Sequence, residues 1–267
     1  MFYSLKEGKI EINGLKTDFI SFGKGSKPLI MIQGLNTVGI KGAGLGLAYS
    51  YRIFAKDFKV YIFDRRPILH EGITVEEMAE DIASAMDSLR LKEACVLGVS
   101  QGGMIAQYLA TQRPDLVERL ALAVTLSRTN STVTDCINGW ISMTEKEDYK
   151  TLTYDMAEKM YSDKYLKKYK PLLPLLTLIQ KPKDKERFIT LAKSCLSCEA
   201  YDRLNEIKCP TLVIGGGQDK IVGKEASIEI AEKLGCEIFI YDDLGHACYE
   251  EATDFNKKVY DFFCKGE

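Results

Sequence analysis

The stretch Ala94-Cys95-Val96-Leu97-Gly98-Val99-Ser100-Gln101-Gly102-Gly103-Met104-Ile105-Ala106 decides the reading of this chain. Ala94 to Gly98 is a short apolar run of the kind that forms a buried strand. Gln101 to Gln112 reads as a helix stopped by Pro114. Between them lies Gly-x-Ser-x-Gly, a spacing that gains meaning only between a strand and a helix. The flanking glycines allow a sharp turn where any side chain would collide, and the turn lifts the Ser100 hydroxyl above the sheet edge. The helix that follows aims its N-terminus at the site and so favours negative charge there.

Working outward, the same strand–helix rhythm recurs. Pro28 to Gln33, ending at Gly34, and Phe58 to Phe63, ending at Asp64, are apolar runs that suit buried strands. Lys9 to Ile12 and Thr17 to Phe22 flank Asn13-Gly14, a hairpin signal. Thr74 to Leu91 is helical, with Thr74 and Glu77 placed as a capping box. Leu120 to Thr125, Pro210 to Gly215 and Cys236 to Tyr241 are further strands, and Ile221 to Leu234 and Glu251 to Phe263 are helices. This pattern predicts an α/β chain with a mostly parallel central sheet and helices on both faces. From about Ser127 to Leu204 the rhythm breaks into helix-like segments without a strand. Pro171 and Pro174 rule out one straight helix there. The expected organisation is a core of residues 1–126 and 205–267, with residues 127–204 inserted as a helical lid.

The chain has 267 residues, 46% of them hydrophobic, so it can bury a core, and wholesale disorder is excluded. A formal charge of −2 gives no reason to expect a nucleic-acid partner. No apolar run has the length of a membrane helix, and the first residues lack the layout of a signal peptide. The eight cysteines therefore read as buried thiols of a cytoplasmic protein. Cys195-Leu196-Ser197-Cys198 is a lone CxxC and reads as two ordinary helix residues. Gly42-Ala43-Gly44-Leu45-Gly46 lacks the position and spacing of a dinucleotide loop, and Gly215-Gly216-Gly217 lacks a P-loop lysine. Lysine clusters at 167–168 and 181–187 are interleaved with acids and read as solvated faces. No motif asks for a metal or cofactor, and a small-molecule substrate is the one expected partner. The oligomeric state is left open.

A serine hydroxyl needs a base to become a nucleophile, and only two histidines are available. His246, in Asp243-Leu244-Gly245-His246, lies past the last strand, where a loop can bend back to the sheet edge. His70, in Arg66-Pro67-Ile68-Leu69-His70-Glu71, reads as a loop residue at most bordering the pocket. The base needs an acid to hold its tautomer. Asp219 follows a predicted strand, whereas Asp242 and Asp243 sit too close to His246 in the chain to face its ring readily. The order Ser100, Asp219, His246 is that of one known convergent solution. Two backbone donors are also needed for an oxyanion. They are expected to be the amide of Gln101, directly after the serine, and that of Leu35, after Gln33-Gly34.

With these residues in place, the chain resembles the α/β-hydrolase superfamily along nearly its whole length. The resemblance is carried by Gln33-Gly34, Asp64-Arg65-Arg66, Gly98 to Gly103 with Met104-Ile105-Ala106-Gln107, Cys209 to Ile214, Gly217-Gln218-Asp219 and Gly245-His246. It is strongest to lidded bacterial members: 3-oxoadipate enol-lactonases, cofactor-free haloperoxidase-like esterases and menaquinone-pathway lyases. It departs at Gln33, where His-Gly is usual, and at Pro67, where glycine is common. Ser100 separates it from dehalogenases and epoxide hydrolases, which use aspartate there. The resemblance implies a serine hydrolase acting on an ester, thioester or lactone of a small, largely apolar molecule. Lyase or carbon–carbon hydrolase chemistry with the same triad, and a receptor that retains the triad, are the alternatives. Trp140 and the leucines Leu172, Leu173, Leu175 and Leu176 are the candidate apolar wall supplied by the lid.

Overall fold

Apolar runs that end at glycine, aspartate or a turn become strands because both their faces can be covered. The computed structural model describes residues 3–265, apart from the side chains of Lys170, Leu176, Ile179 and Gln180. The strands are β1 (Lys6–Ile12), β2 (Leu15–Phe22), β3 (Lys27–Ile32), β4 (Phe58–Phe63), β5 (Ala94–Val99), β6 (Val117–Ala123), β7 (Thr211–Gly216) and β8 (Glu237–Tyr241). They form one sheet in the order β1-β2-β4-β3-β5-β6-β7-β8. The β1–β2 hairpin turns at Asn13 and Gly14, both with positive φ, and β2 lies antiparallel to β4. From β4 across to β8 every pairing is parallel.

The helices are α1 (Gly44–Ser50), α2 (Val75–Ser88), α3 (Gln101–Gln112), α4 (Ser131–Glu145), α5 (Tyr149–Met160), α6 (Asp163–Tyr169), α7 (Leu173–Gln180), α8 (Lys185–Ser194), α9 (Lys224–Leu234), α10 (Cys248–Glu251) and α11 (Phe255–Phe263). The capping box forms: Thr74 Oγ1 accepts from the Glu77 amide, and the Glu77 carboxylate accepts from the Thr74 amide. Residues of α2, α3 and α9 pack into a core on one face of the sheet, while α1 and α11 cover the other. Between β6 and β7 the described chain holds helices joined by loops and, in place of any strand, an isolated bridge between Arg128 and Glu199. Pro171 lies in a short 3-10 turn and Pro174 in the first turn of α7, where a missing amide is tolerated.

Several boundaries differ from the expectation for physical reasons. The helix expected from Ile221 begins at Lys224, because the Ile221 and Val222 amides donate to the Asp219 carboxylate instead. The last helix breaks into α10 and α11 around Thr253. The strand expected at Leu120 to Thr125 runs from Val117 to Ala123 and ends where Val124 takes a positive φ. The short helix α1 was not anticipated in its glycine-rich segment; at Gly44 a Cβ would come within 2.3 Å of the Glu7 carboxylate. Cys195 and Cys198 lie in and after a 3-10 turn rather than within an α-helix, both as buried free thiols. Burial pushes each thiol pKa up to about 12, so neither favours the reactive thiolate. No helix among the described residues is long and apolar enough to cross a membrane.

Candidate active site

The carboxyl edge of a parallel sheet is where loops from several strands converge. Ser100 follows β5, the Gln33–Gly34 loop follows β3, Asp219 lies beyond β7, and His246 lies beyond β8. Ser100 has φ 54° and ψ −122°, a conformation outside the ordinary L-residue regions. Its surroundings over-determine it. The Ser100 amide donates to Ala123 O at 2.9 Å, and Thr125 Oγ1 donates to Ser100 O at 2.8 Å. The flanking glycines are sterically required: a Cβ on Gly98 would come within 2.6 Å of Gly102 O, and one on Gly102 within 2.0 Å of Ile32 O. Such strain, roughly 1–3 kcal/mol, persists only where the fold enforces it.

The three side chains expected to work together meet. His246 Nε2 lies 2.9 Å from Ser100 Oγ, and His246 Nδ1 lies 2.8 Å from Asp219 Oδ2. An ionised carboxylate only accepts, so Nδ1 carries the proton and Nε2 of the neutral ring accepts from the serine hydroxyl. Asp219 Oδ1 accepts from the Ile221 amide at 2.8 Å and the Val222 amide at 3.0 Å. Burial works to raise the Asp219 pKa, but the His246 charge, its ring hydrogen bond and these two amides outweigh it and hold the carboxyl below its ordinary value. His246 is 3% exposed. Its loop is tied to α5, since the Ala247 amide donates to Met160 O at 2.7 Å.

His70 is elsewhere. Its ring is exposed and lies 2.9 Å from Glu77 Oε1, which ties it to the cap of α2. The structure thus brings His246, and not His70, to the serine. Asp242 and Asp243 are both exposed and do not hold the ring.

The Gly34 loop runs against the serine: a Cβ on Gly34 would lie 3.2 Å from Ser100 Cβ. Leu35 therefore follows directly beside the serine, and Gln101 is the first residue of α3, whose first-turn amides have no partner within the helix. One residue that the sequence reading missed joins both segments. Arg65, buried at 8% exposure, donates to Gln33 O at 2.6 Å and to Gln101 Oε1 at 3.3 Å. Gln101 Nε2 in turn donates to Leu191 O of α8 at 2.8 Å. Burial pushes the Arg65 pKa down to about 10, against the opposing pull of Asp64, so it stays charged at neutral pH. Asp64-Arg65-Arg66 was visible as a motif, but the reach of Arg65 across to residues 33 and 101 exists only in the fold.

Two cavities lie near this edge of the sheet, and of the two the smaller is lined by Ser100. A small one of about 50 Å³ is lined by Ser100, His246, Leu35, Trp140, Met156 and Tyr249 among others. A larger one of about 650 Å³ shares Gly34, Leu35, Met156, Met160 and Tyr249 with it. Trp140 thus lies beside the serine, its Nε1 donating to Asp155 at 2.7 Å. Leu172 and Leu173 line the larger cavity. Leu175 corrects the expectation: it is 55% exposed and lines neither cavity, because α7 turns that side to solvent. The side chain of Leu176 lies outside the described residues. Met156, Met160 and Tyr249, which were not among the expected wall residues, line both cavities.

A family profile for the alpha/beta hydrolase fold matches residues 27–145. A candidate carbamate hydrolase, RutD of Rhizobium rhizogenes, is 25% identical over 234 residues, 84% of this chain and 89% of that protein. The 2-hydroxy-6-oxononadienedioate/2-hydroxy-6-oxononatrienedioate hydrolase of Paraburkholderia xenovorans is 24% identical, covering 98% of this chain and 94% of its own. Among solved structures, the enol-lactonase of Burkholderia xenovorans LB400 superimposes with a TM-score of 0.83 at 22% identity, over 97% of this chain and 100% of that one. The fold is that of the α/β hydrolases.

Proposed function

We propose, for a chain with the α/β-hydrolase fold, that it is a serine hydrolase cleaving an ester, thioester or lactone of a small, largely apolar molecule. The observation that carries this reading is the hydrogen-bonded line Ser100–His246–Asp219 at 2.9 and 2.8 Å. In this reading Ser100 Oγ attacks the carbonyl carbon while His246 Nε2 takes its proton. Asp219 orients the ring and stabilises the imidazolium. The amides of Leu35 and Gln101 receive the oxyanion. His246 then returns the proton to the leaving group, and water repeats the sequence on the acyl-enzyme. Stoichiometric labelling by a fluorophosphonate, together with turnover of a nitrophenyl acetate, tests the reading. A protein that neither labels nor turns over an ester, thioester or lactone would overturn it.

Arg65 is a positioning residue in this scheme, because its one guanidinium holds both segments that supply the oxyanion amides. A lysine keeps the charge but loses the planar fork. Arg65→Lys is expected to lower kcat on the order of 10- to 100-fold with little change in KM, since a small misplacement of the donors acts on the transition state. A rise in KM at unchanged kcat would instead assign Arg65 to substrate binding.

The helical segment 127–204 is the proposed lid. Trp140 borders the serine, and Leu173 with Met156 and Met160 walls the larger cavity. One methylene in such a pocket discriminates by about 1–3 kcal/mol, so chain-length preference is graded. Trp140→Phe and Leu173→Ala should shift KM and the preferred chain length more than kcat for acetate esters. Superimposable chain-length profiles for wild type and both variants would leave the helices as a structural cover only. The carbon–carbon hydrolase alternative receives less support. The relative with that chemistry is named for a dicarboxylate substrate, and no described Lys or Arg lines either cavity here.

A further inference from the structure

Two adjacent carboxylates in α10 have different surroundings. Glu251 is fully engaged: its oxygens accept from the Ser162 amide at 2.8 Å and the Ser162 hydroxyl at 2.5 Å, fastening α10 to the start of α6. Glu250 instead lines the larger cavity, directly after Tyr249, which borders both cavities. It accepts a hydrogen bond from the Tyr161 hydroxyl at 2.6 Å. Glu250 is an exposed residue whose side chain contributes to the lining of this cavity. Partial desolvation against the cavity wall raises its pKa, the nearby Glu251 charge adds to this, and the Tyr161 and Tyr249 hydroxyls act the other way. No described Lys, Arg or His lines the cavity, and the side-chain partner that Glu250 has there is the neutral Tyr161 hydroxyl. A carboxylate at a largely apolar cavity wall, beside another acid and without a cation partner, favours a cationic ligand there.

The walls around this carboxylate are aromatic. Tyr161 and Tyr165 stack with ring centroids 4.8 Å apart, and Tyr165 and Tyr169 lie 4.3 Å apart, a continuous wall along α6. Tyr249 and Tyr51 line the same cavity. Electron-rich ring surfaces attract alkylated ammonium groups, whose charge is spread over apolar carbons and cheaply desolvated. We propose that Glu250 and these tyrosines form a subsite for an alkylated ammonium group, carried by the substrate on the side remote from the scissile carbonyl. The proposal rests on the hydrolase reading for the scissile end only. The subsite itself is a statement about binding.

The test uses Ser100→Ala protein, so that binding is measured without turnover. Choline and its neutral carbon isostere, in which a quaternary carbon replaces the nitrogen, are titrated by calorimetry. Choline is expected to bind on the order of 10-fold more tightly or better. Adding Glu250→Gln removes the charge but retains an acceptor for Tyr161, and the preference is expected to disappear. Equal binding of the pair, tighter binding of the isostere, or a preference that survives Glu250→Gln would overturn the subsite. Tighter binding of the isostere would instead mark the site as an apolar pocket that rejects the charge. The isostere comparison needs no change at position 250, so it stands even where Glu250→Gln fails to fold. Fluorophosphonate labelling of the wild-type protein separates the two readings. Choline preference without labelling removes the hydrolase and keeps the subsite, while labelling without preference does the reverse.

Discussion

Ser100→Ala is expected to lower kcat for a nitrophenyl ester by on the order of 10⁴–10⁶, with the folding midpoint nearly unchanged. The magnitude follows from the geometry. Among the described residues, the hydroxyl that hydrogen-bonds His246 Nε2, at 2.9 Å, is that of Ser100. What remains after its removal is the proposed pair of backbone donors and the cavity, which together are expected to accelerate the reaction modestly over water. The fold survives because an alanine at 100 keeps the same backbone. The contacts that hold this strained turn are the Ser100 amide and carbonyl, to Ala123 and Thr125, and not the hydroxyl. Fluorophosphonate labelling should vanish in the same variant. Ester turnover at the wild-type rate in Ser100→Ala protein would end the triad reading.

The sheet and the three converging side chains were legible because each left a local signal. Buried parallel strands write continuous apolar runs, the elbow demands glycine at both flanks, and two histidines leave a short search. The boundaries that shifted were set by contacts that are not local. Ile221 and Val222 have helical composition, yet their amides serve Asp219, so α9 starts later. Arg65 was illegible for the same reason: its partners are Gln33 and Gln101, distant in sequence and joined only when β3, β4 and β5 lie side by side. The segment 127–204 was legible as helical and apolar but not as a surface. Leu173 and Leu175 have the same chemistry, and only the rotation of α7 makes one 4% and the other 55% exposed. Glu250 gave no signal at all, since its neighbour Glu251 is also acidic and only the fold assigns one to Ser162 and the other to a cavity.

His246→Ala is expected to lose activity nearly as fully as Ser100→Ala, on the order of 10⁴–10⁶ in kcat, because nucleophile and base act as one unit. His70→Ala should keep most of kcat, since its exposed ring touches Glu71 and Glu77 and lies outside both cavities. Acid unfolding supplies a second readout that separates the two histidines. Folding lowers the Asp219 pKa, so the ionised carboxylate contributes its full stabilisation above the unfolded value of about 3.9. That contribution is lost as pH falls through the lower, folded value. Burial opposes this depression, and the His246 charge and ring hydrogen bond are the first influences that overcome it. Removing the ring leaves Asp219 with its two amides alone, so the acid midpoint of His246→Ala should move to higher pH. His70→Ala should shift it far less, because the Glu77 carboxylate that it touches is exposed. Activity and acid midpoint measured on both variants therefore form a paired test. Equal collapse of kcat in both, with folding unchanged, would place His70 in the chemistry and remove the assignment of His246 as the single base.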